Sequence, residues 1–405
     1  MNRNGRGEKM LSRKAMQITP SPTLSIDAKA KQLKSEGKDV IGFGAGEPDF
    51  DTPAHIKKAA IDAINQGFTK YTPASGIPEL KEAVCARLSI DNHLNYQPQQ
   101  IVVSNGAKHS LNNVFSALLN RGDEVIIPAP YWVSYPELVK LNEGVPVIIE
   151  TKKEHNYKLR SEQLEKALTP RTKALILNSP SNPTGQVYTR EELEEIASVA
   201  IKNNIFVISD EVYEKLIYGE SKHISIASLG EEIKKLTIIV NGVSKTYAMT
   251  GWRIGFTASE PKIAKAMADI QSHNASNPNS IAQKAAYAAL TGPQDCVEEM
   301  RRTFEERRNY MVASISAMPY LTCIEPQGAF YLFVNMKDTF SRRFKGIPVG
   351  NSDQLAELLL EHYKVALVPG RGFGAPEYAR FSYATSMDNI RAGLERLHSF
   401  LKELH

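Results

Sequence analysis

The chain has 405 residues, more than one hydrophobic core usually serves, so its length favours two domains. Its net charge is +4, and the basic residues are scattered among nearly as many acids, which argues against a nucleic-acid partner. No stretch approaches the roughly 20 apolar residues of a membrane span, and the polar first ten residues are unlike a signal peptide. The three distant cysteines, Cys85, Cys296 and Cys323, predict reduced, mostly buried thiols in a cytoplasmic protein.

Short segments rich in β-branched residues predict strands through the middle of the chain. They are Ile101-Ser104, Glu124-Ile127, Val145-Glu150, Lys173-Leu177, Ile205-Ser209, Thr237-Asn241 and Gly255-Ala258. Helical periodicity lies between several of them, and Thr189 with Glu192 forms a capping box before one such stretch. Repeated strand–helix–strand units predict an α/β fold in which a mainly parallel sheet is covered by helices.

The C-terminal part of the chain has a different pattern. Residues 304–318 and 387–402 predict amphipathic helices, and strand-like runs lie between them at Ala329-Val334 and Arg380-Tyr383. This change of pattern predicts a second, smaller domain.

Three polar side chains each follow the end of a predicted buried strand. Asn182 lies beyond the strand at Lys173-Leu177, Asp210 directly follows Ser209, and Lys245 comes shortly after Asn241. Open α/β sheets place their ligand sites at the carboxyl ends of the strands. A lysine that can form a Schiff base, with an acid to pair a pyridinium nitrogen, is what pyridoxal phosphate chemistry requires.

The run from Ser244 to Gly255, SKTYAMTGWRIG, resembles the class I, fold-type I aminotransferases, most closely the bacterial aspartate aminotransferases. The resemblance extends from about Pro20 to about Leu401. It implies a three-layer αβα large domain at residues 53–303 and a smaller α+β domain at 304–405. Residues 1–52 would supply an N-terminal arm and part of the small domain. The resemblance also implies pyridoxal 5′-phosphate as the cofactor and a homodimer with shared active sites.

The resemblance assigns the cofactor-binding residues. Lys245 is the Schiff-base lysine, Asp210 holds the pyridine nitrogen protonated, and Tyr213 and Asn182 bond the phenolic oxygen. Arg253 pairs with the phosphate, assisted by Ser244. The remaining cofactor contacts are the helix start at Gly106, Ala107 and Lys108, the stacking side chain of Trp132, and Tyr71, which reaches the phosphate in the neighbouring subunit.

The resemblance also assigns the substrate-binding residues. Arg380 and the backbone of Gly46 receive the α-carboxylate, which Asn182 also reaches, and Trp132 is a further substrate-binding residue. Lys108 is the candidate for the distal carboxylate of a dicarboxylic amino acid, with help from Thr23. Relatives that accept prephenate use a basic residue near the N-terminus, where this chain has Thr19.

The implied reaction is ping-pong transamination from L-aspartate to 2-oxoglutarate, in which Lys245 is the general base and then the general acid. Other aminotransferase substrates (aromatic amino acids, alanine, methionine, diaminopimelate or prephenate) and a β-lyase reaction stay open. A non-catalytic regulator is remote, because the first 20 residues are too short for a DNA-binding module. We expect no nucleotide site, since the glycine clusters at 42–46 and 370–374 run into proline rather than a helix, and no metal site, since the sequence has no clustered His/Cys set at metal-ligand spacing.

Overall fold

The computed structural model describes residues 11–19 and 22–405. The strands are β1 Ile41–Gly42, β2 Ile101–Ser104, β3 Glu124–Ala129, β4 Val145–Glu150, β5 Thr172–Asn178, β6 Phe206–Asp210, β7 Thr237–Gly242, β8 Gly255–Ala258, β9 Thr322–Cys323, β10 Tyr331–Asn335, β11 Arg343–Phe344, β12 Ile347–Pro348, β13 Val365–Ala366, β14 Val368–Pro369 and β15 Tyr378–Ser382. The helices are α1 Arg13–Gln17, α2 Pro22–Ser35, α3 Ala54–Asn65, α4 Pro78–Asn92, α5 Ala107–Leu118, α6 Ser134–Leu141, α7 Ser161–Ala167, α8 Arg190–Asn203, α9 Glu231–Leu236, α10 Val243–Thr246, α11 Pro261–Asn274, α12 Ser280–Thr291, α13 Asp295–Ser316, α14 Ser352–Tyr363 and α15 Met387–Lys402. None of the helices within these ranges combines the length and apolarity needed to cross a bilayer.

The seven strands β2 to β8 form one sheet in the order β2-β8-β7-β6-β5-β3-β4. All neighbours are parallel except β8, which runs antiparallel to both β2 and β7. All seven predicted strands are present, and β2, β4 and β8 have the predicted bounds. The fold prediction of a mainly parallel α/β sheet is confirmed.

Successive side chains of each strand point to opposite faces of the sheet, and this explains why helices cover both faces. In β2, Ile101 and Val103 pack with α3, α4 and α12, whereas Val102 packs on the opposite face with α5, α6 and α11. In β7, Ile239 joins the first group, and Ile238 joins the second. Because successive side chains of a strand point to opposite faces, strands that are buried throughout require helices on both sides.

A smaller antiparallel sheet, ordered β14-β15-β10-β9, packs with α13, α14 and α15 near the C-terminus. The N-terminal segment belongs to this region, since β1 pairs in parallel with β13 and Phe43 lies in the same apolar cluster. Helix α13 begins at Asp295 rather than at the predicted residue 304. That earlier start was missed because its first two turns are mostly charged, although Val297 and Met300 there are buried.

The three cysteines are free, as predicted, but they are only partly buried rather than mostly buried. Cys85 lies on α4, Cys296 in the first turn of α13, and Cys323 on the edge strand β9. At these three positions part of each cysteine side chain stays at the surface.

Candidate active site

A cavity of about 290 Å³ opens where β5, β6 and β7 end at their carboxyl ends, beside the smaller sheet. Most of the predicted site residues line it: Gly46, Ala107, Lys108, Trp132, Asn182, Asp210, Tyr213, Ser244, Lys245, Arg253 and Arg380. Because the strands are parallel, residues far apart in sequence meet at one edge of the sheet.

Lys245 lies on α10, a single turn that directly follows β7. Its Nζ donates a hydrogen bond to the carbonyl oxygen of Gly46 at 2.6 Å. Burial is the largest cause that lowers the pKa of the Lys245 amine, and the charges of Arg253 and Arg380 also lower it, whereas the carboxylates of Glu47 and Asp210 oppose them. The net pKa is about 8. An amine with such a pKa is a usable nucleophile and base near neutral pH.

Asp210 is the last residue of β6 and is buried. Its Oδ2 accepts a hydrogen bond from the hydroxyl of Tyr135 at 2.7 Å, and its Oδ1 accepts a longer one from the N–H of Val212 at 3.4 Å. Burial raises the pKa of the Asp210 carboxyl to about 6, and the Tyr135 hydroxyl opposes that rise. A buried carboxylate whose charge is only partly compensated is suited to a protonated ring nitrogen.

Tyr135 was missed by sequence reasoning, because a buried tyrosine in the first turn of α6 resembles any core aromatic residue. Tyr331, the first residue of β10, was missed as well. Its hydroxyl lies 3.0 Å from that of Tyr213, and both side chains line the cavity. The available signal for either residue was only a phenol near a strand end.

The start of α5 and Arg253 form an anion-binding corner of the cavity. Gly106, the N-cap of α5, has φ +87°, and a Cβ there would lie 2.2 Å from Nη2 of Arg253. The guanidinium of Arg253 donates to the carbonyl oxygens of Thr250 at 2.9 Å and Asn105 at 3.3 Å. Backbone N–H groups at a helix start and a guanidinium both suit a phosphate.

Arg380 lies on β15 and is only 2% exposed. Its Nη1 donates to Oδ1 of Asn182 at 3.0 Å, and its Nη2 donates to the carbonyl oxygen of Gly44 at 2.9 Å. The buried Nε of Arg380 has no hydrogen-bond partner within residues 11–19 and 22–405. A buried guanidinium with a spare N–H beside a cavity is suited to a carboxylate, because leaving that donor unpaired costs free energy.

Lys108 lies at another wall of the cavity, with its Nζ 4.9 Å from the ring centroid of Trp132. Burial lowers the pKa of the Lys108 amine, and the charge of Arg253 lowers it further. Trp132 in turn packs edge-on against Tyr135, at 5.3 Å between ring centroids.

The remaining three predicted residues are not among the described residues that line the cavity. Tyr71 does not line the cavity, and its side chain is 90% exposed. Thr23 falls in α2, and its side chain is outside the described part of the chain. Gly106 stands behind Arg253 rather than on the cavity wall.

These residues fit pyridoxal phosphate. The cavity holds an amine whose pKa is lowered, a buried carboxylate whose pKa is raised, and an arginine beside a helix start. These groups match the aldehyde, the pyridine nitrogen and the phosphate of that cofactor, respectively.

Among the described residues, Glu211, Glu214 and His223 lie close enough together to hold a metal ion, and Glu211 also accepts hydrogen bonds from two serines.

Comparison with known proteins gives consistent matches along the chain. The family model of class I and II aminotransferases matches residues 38–397. An aspartate aminotransferase from Geobacillus stearothermophilus is 53% identical over 392 residues, which cover 97% of this chain and 99% of that protein. An aspartate/prephenate aminotransferase from Nitrosomonas europaea is 47% identical over 394 residues, covering 96% of this chain and 99% of that protein.

Solved structures agree with this match. The aspartate aminotransferase of Rhizobium meliloti superposes with a TM-score of 0.95 at 41% identity, covering 98% of this chain and all of that one. The aspartate aminotransferase of Thermus thermophilus with maleate superposes with a TM-score of 0.92 at 41% identity, covering 97% of this chain and all of that one. The chain therefore belongs to the class I and II aminotransferases, and it is a pyridoxal-phosphate-dependent enzyme.

Proposed function

We propose that this enzyme transfers the amino group of L-aspartate to 2-oxoglutarate, giving oxaloacetate and L-glutamate. The names of its relatives support this choice, and so does the Thermus thermophilus structure, which was solved with maleate, a dicarboxylate. The observation that carries the proposal is the number of cations facing the cavity. Among the residues that the structure describes, three cationic side chains besides Lys245 line it: Lys108, Arg253 and Arg380.

These three cations match the phosphate of the cofactor and the two carboxylates of a dicarboxylic amino acid bound next to it. Arg253, beside the start of α5, would take the phosphate, and Arg380 would take the α-carboxylate with its spare Nε. Lys108 is left for the distal carboxylate. Its position over Trp132 suits that role, because the ring face holds the ammonium at the cavity wall. A substrate without a distal carboxylate would leave this cation without an anionic partner in the cavity.

The chemistry follows from the positions of the chain's own groups. Bound pyridoxal phosphate supplies an aldehyde that accepts the amino group and a ring that accepts electrons from the substrate Cα. Lys245 would hold the aldehyde carbon and, once displaced, take the proton from the substrate Cα and return it at the cofactor. Asp210 would keep the proton on the ring nitrogen. Arg380 would fix the substrate by its carboxylate, so that the Cα proton faces Nζ of Lys245.

The visible absorption spectrum tests the proposal. We expect the band of the bound cofactor to give way to the pyridoxamine form when L-aspartate is added, and to return with 2-oxoglutarate. A band that ignores aspartate but responds to aromatic or neutral amino acids would overturn the substrate assignment. Release of an oxo acid without any requirement for an acceptor would instead indicate a lyase.

Lys108→Ala separates the distal-carboxylate role from a phosphate contact. We expect the KM for aspartate to rise about 10-fold or more, while the KM for alanine stays within about twofold, because only aspartate loses a charge-assisted contact. Affinity for pyridoxal phosphate is the control. Equal effects on both amino acids, or a loss confined to cofactor affinity, would contradict the role.

The prephenate reaction is less well supported. Some relatives are named for both substrates, but the position where a basic residue is expected holds Thr19 in this chain. The N–H of Thr19 donates to Oε2 of Glu137 at 3.1 Å, so the nearby group is an acid. A carboxylate there would repel the ring carboxylate of prephenate.

The proposal also includes a homodimer with shared active sites, a cytoplasmic location and the division at residues 52/53 and 303/304. The exposed ring of Tyr71 supports the dimer, because the resemblance assigns this residue to the neighbouring subunit's phosphate. We expect light scattering to give twice the chain mass of 44.9 kDa. We also expect a mixture of Lys245→Ala and Tyr71→Ala chains, refolded together, to regain activity that neither variant has alone.

The free cysteines support the cytoplasmic location.

A further inference from the structure

Two buried phenols meet at the cavity wall. The hydroxyls of Tyr213 and Tyr331 lie 3.0 Å apart, and either oxygen has the geometry to be the donor. Their side chains are 4% and 1% exposed, and their rings pack edge to face at 5.8 Å between centroids. Tyr213 follows β6 of the large sheet, and Tyr331 begins β10 of the small one. This hydrogen bond therefore links the cofactor-binding region to the small sheet.

The register of the small sheet brings Arg380 to the same place. Phe333 of β10 lies opposite Arg380 of β15, and Tyr331, two residues before Phe333, shares its face of the sheet. The guanidinium carbon of Arg380 lies 4.2 Å from the centroid of the Tyr331 ring. A cation over the face of a phenol draws electron density from the ring and makes its hydroxyl a stronger hydrogen-bond donor.

Proton counting then sets the direction of the bond between the two hydroxyls. A phenol has one proton to donate and can also accept. If Tyr213 donates toward the cavity, it has no proton left for Tyr331, so Tyr331 must be the donor between the two. If Tyr213 instead donated to Tyr331, its proton would be used in that bond, and the Tyr213 oxygen would offer only lone pairs to the cavity.

We propose that Tyr331 is a positioning residue, whose hydroxyl donates to Tyr213 and thereby directs the Tyr213 proton at the phenolic oxygen of the cofactor. This inference rests on the proposed role of Tyr213. The chain of donors runs from Tyr331 beside Arg380, through Tyr213, to the cofactor. Since each hydrogen bond polarises the next, Tyr331 strengthens the bond that Tyr213 makes. Arg380 would thus serve the substrate carboxylate directly and the cofactor through Tyr331.

The experiment compares Tyr331→Phe, Tyr213→Phe, the double variant and the control Tyr218→Phe, all loaded with pyridoxal phosphate. The readout is the pH midpoint at which the visible band of the bound cofactor changes. Tyr218 is a matched control, because it is a buried tyrosine of the same aromatic cluster whose hydroxyl donates to the carbonyl oxygen of Ala329 rather than toward the cavity.

We expect Tyr213→Phe to raise the midpoint, because it removes a donor that stabilises negative charge on the phenolic oxygen. Tyr331→Phe should raise it by roughly half a pH unit to one unit, a shift typical of one hydrogen bond and smaller than that of Tyr213→Phe. The double variant should match Tyr213→Phe alone, since the proposed effect of the Tyr331 hydroxyl on the cofactor passes through Tyr213. Tyr218→Phe should leave the midpoint unchanged while lowering the melting temperature.

The outcomes separate the inference from the function on which it rests. A shift with Tyr213→Phe but none with Tyr331→Phe would refute the positioning role and leave the proposed role of Tyr213 intact. Additive shifts in the double variant would refute the donor chain, since Tyr331 would then act independently. No shift with Tyr213→Phe would refute the proposed role of Tyr213 itself.

Discussion

The lowered pKa of Lys245 predicts how fast the cofactor-free protein captures pyridoxal phosphate at different pH values. Only the unprotonated amine attacks an aldehyde, so the rate should follow the neutral fraction of Lys245. The pKa of about 8 lies well below the ordinary value of 10.5, and the gap corresponds to roughly 3 kcal/mol. At pH 7 about one Lys245 side chain in ten is neutral, roughly 300 times the fraction of an ordinary lysine.

Stopped-flow absorbance between about pH 6 and pH 10 measures this prediction. We expect the rate constant to rise about tenfold per pH unit below pH 8 and to level off above it. The same reaction with Nα-acetyl-lysine is the reference, because it divides out the ionisation of pyridoxal phosphate itself. A rate that keeps rising toward the ordinary lysine pKa would refute the assignment of Lys245 as a buried, activated amine.

Glu47→Gln tests the cause of the shift. The Glu47 carboxylate raises the pKa of Lys245, and it accepts a hydrogen bond from the hydroxyl of Thr250 at 2.7 Å that a glutamine oxygen can also accept. Its removal should therefore move the midpoint to lower pH. Glu220→Gln, which neutralises an exposed carboxylate that does not line the cavity, is the matched control. An unchanged or higher midpoint in Glu47→Gln would contradict the electrostatic reasoning.

Three further predictions concern the cofactor contacts. Asp210→Asn should keep the cofactor bound but lower kcat by about 100-fold or more, since the ring nitrogen loses its anionic partner; near-normal turnover would contradict this. Gly106→Ala should lower the free energy of unfolding by about 1–3 kcal/mol in a denaturant titration and should also weaken cofactor affinity, because the new Cβ meets Arg253. The control Gly122→Ala, at φ +90° in open space, should lower the free energy of unfolding without changing cofactor affinity. Arg253→Lys should weaken binding of pyridoxal phosphate about tenfold or more in equilibrium titrations but leave unphosphorylated pyridoxal unaffected, because a lysine lacks the planar fork; equal losses for both ligands would argue against a phosphate contact.

The sequence predicts the strands and the residues that directly follow them, because these features depend on short stretches of the chain. The strands were visible because buried parallel strands are continuous apolar runs, and Lys245 and Asp210 were visible because each follows such a run. The roles of Tyr135 and Tyr331 depend instead on tertiary packing. Tyr331 meets Tyr213 across 118 residues of sequence, and Tyr135 meets Asp210 across 75. No single stretch of sequence encodes such a meeting, so a buried tyrosine could not be distinguished from a core residue.

The hydrogen bond from Arg380 to the carbonyl oxygen of Gly44 joins residues 336 positions apart. A ribosome adds about 5–20 residues per second, so Gly44 is made about 20 to 70 seconds before Arg380. Throughout that interval the apolar stretch around Phe43 lacks part of its C-terminal packing, including the ring of Phe381. A nascent chain can complete the large sheet while still lacking its carboxylate clamp. Chaperones that protect this enzyme during synthesis should therefore bind its N-terminal segment and leave it only after the last strand has been made.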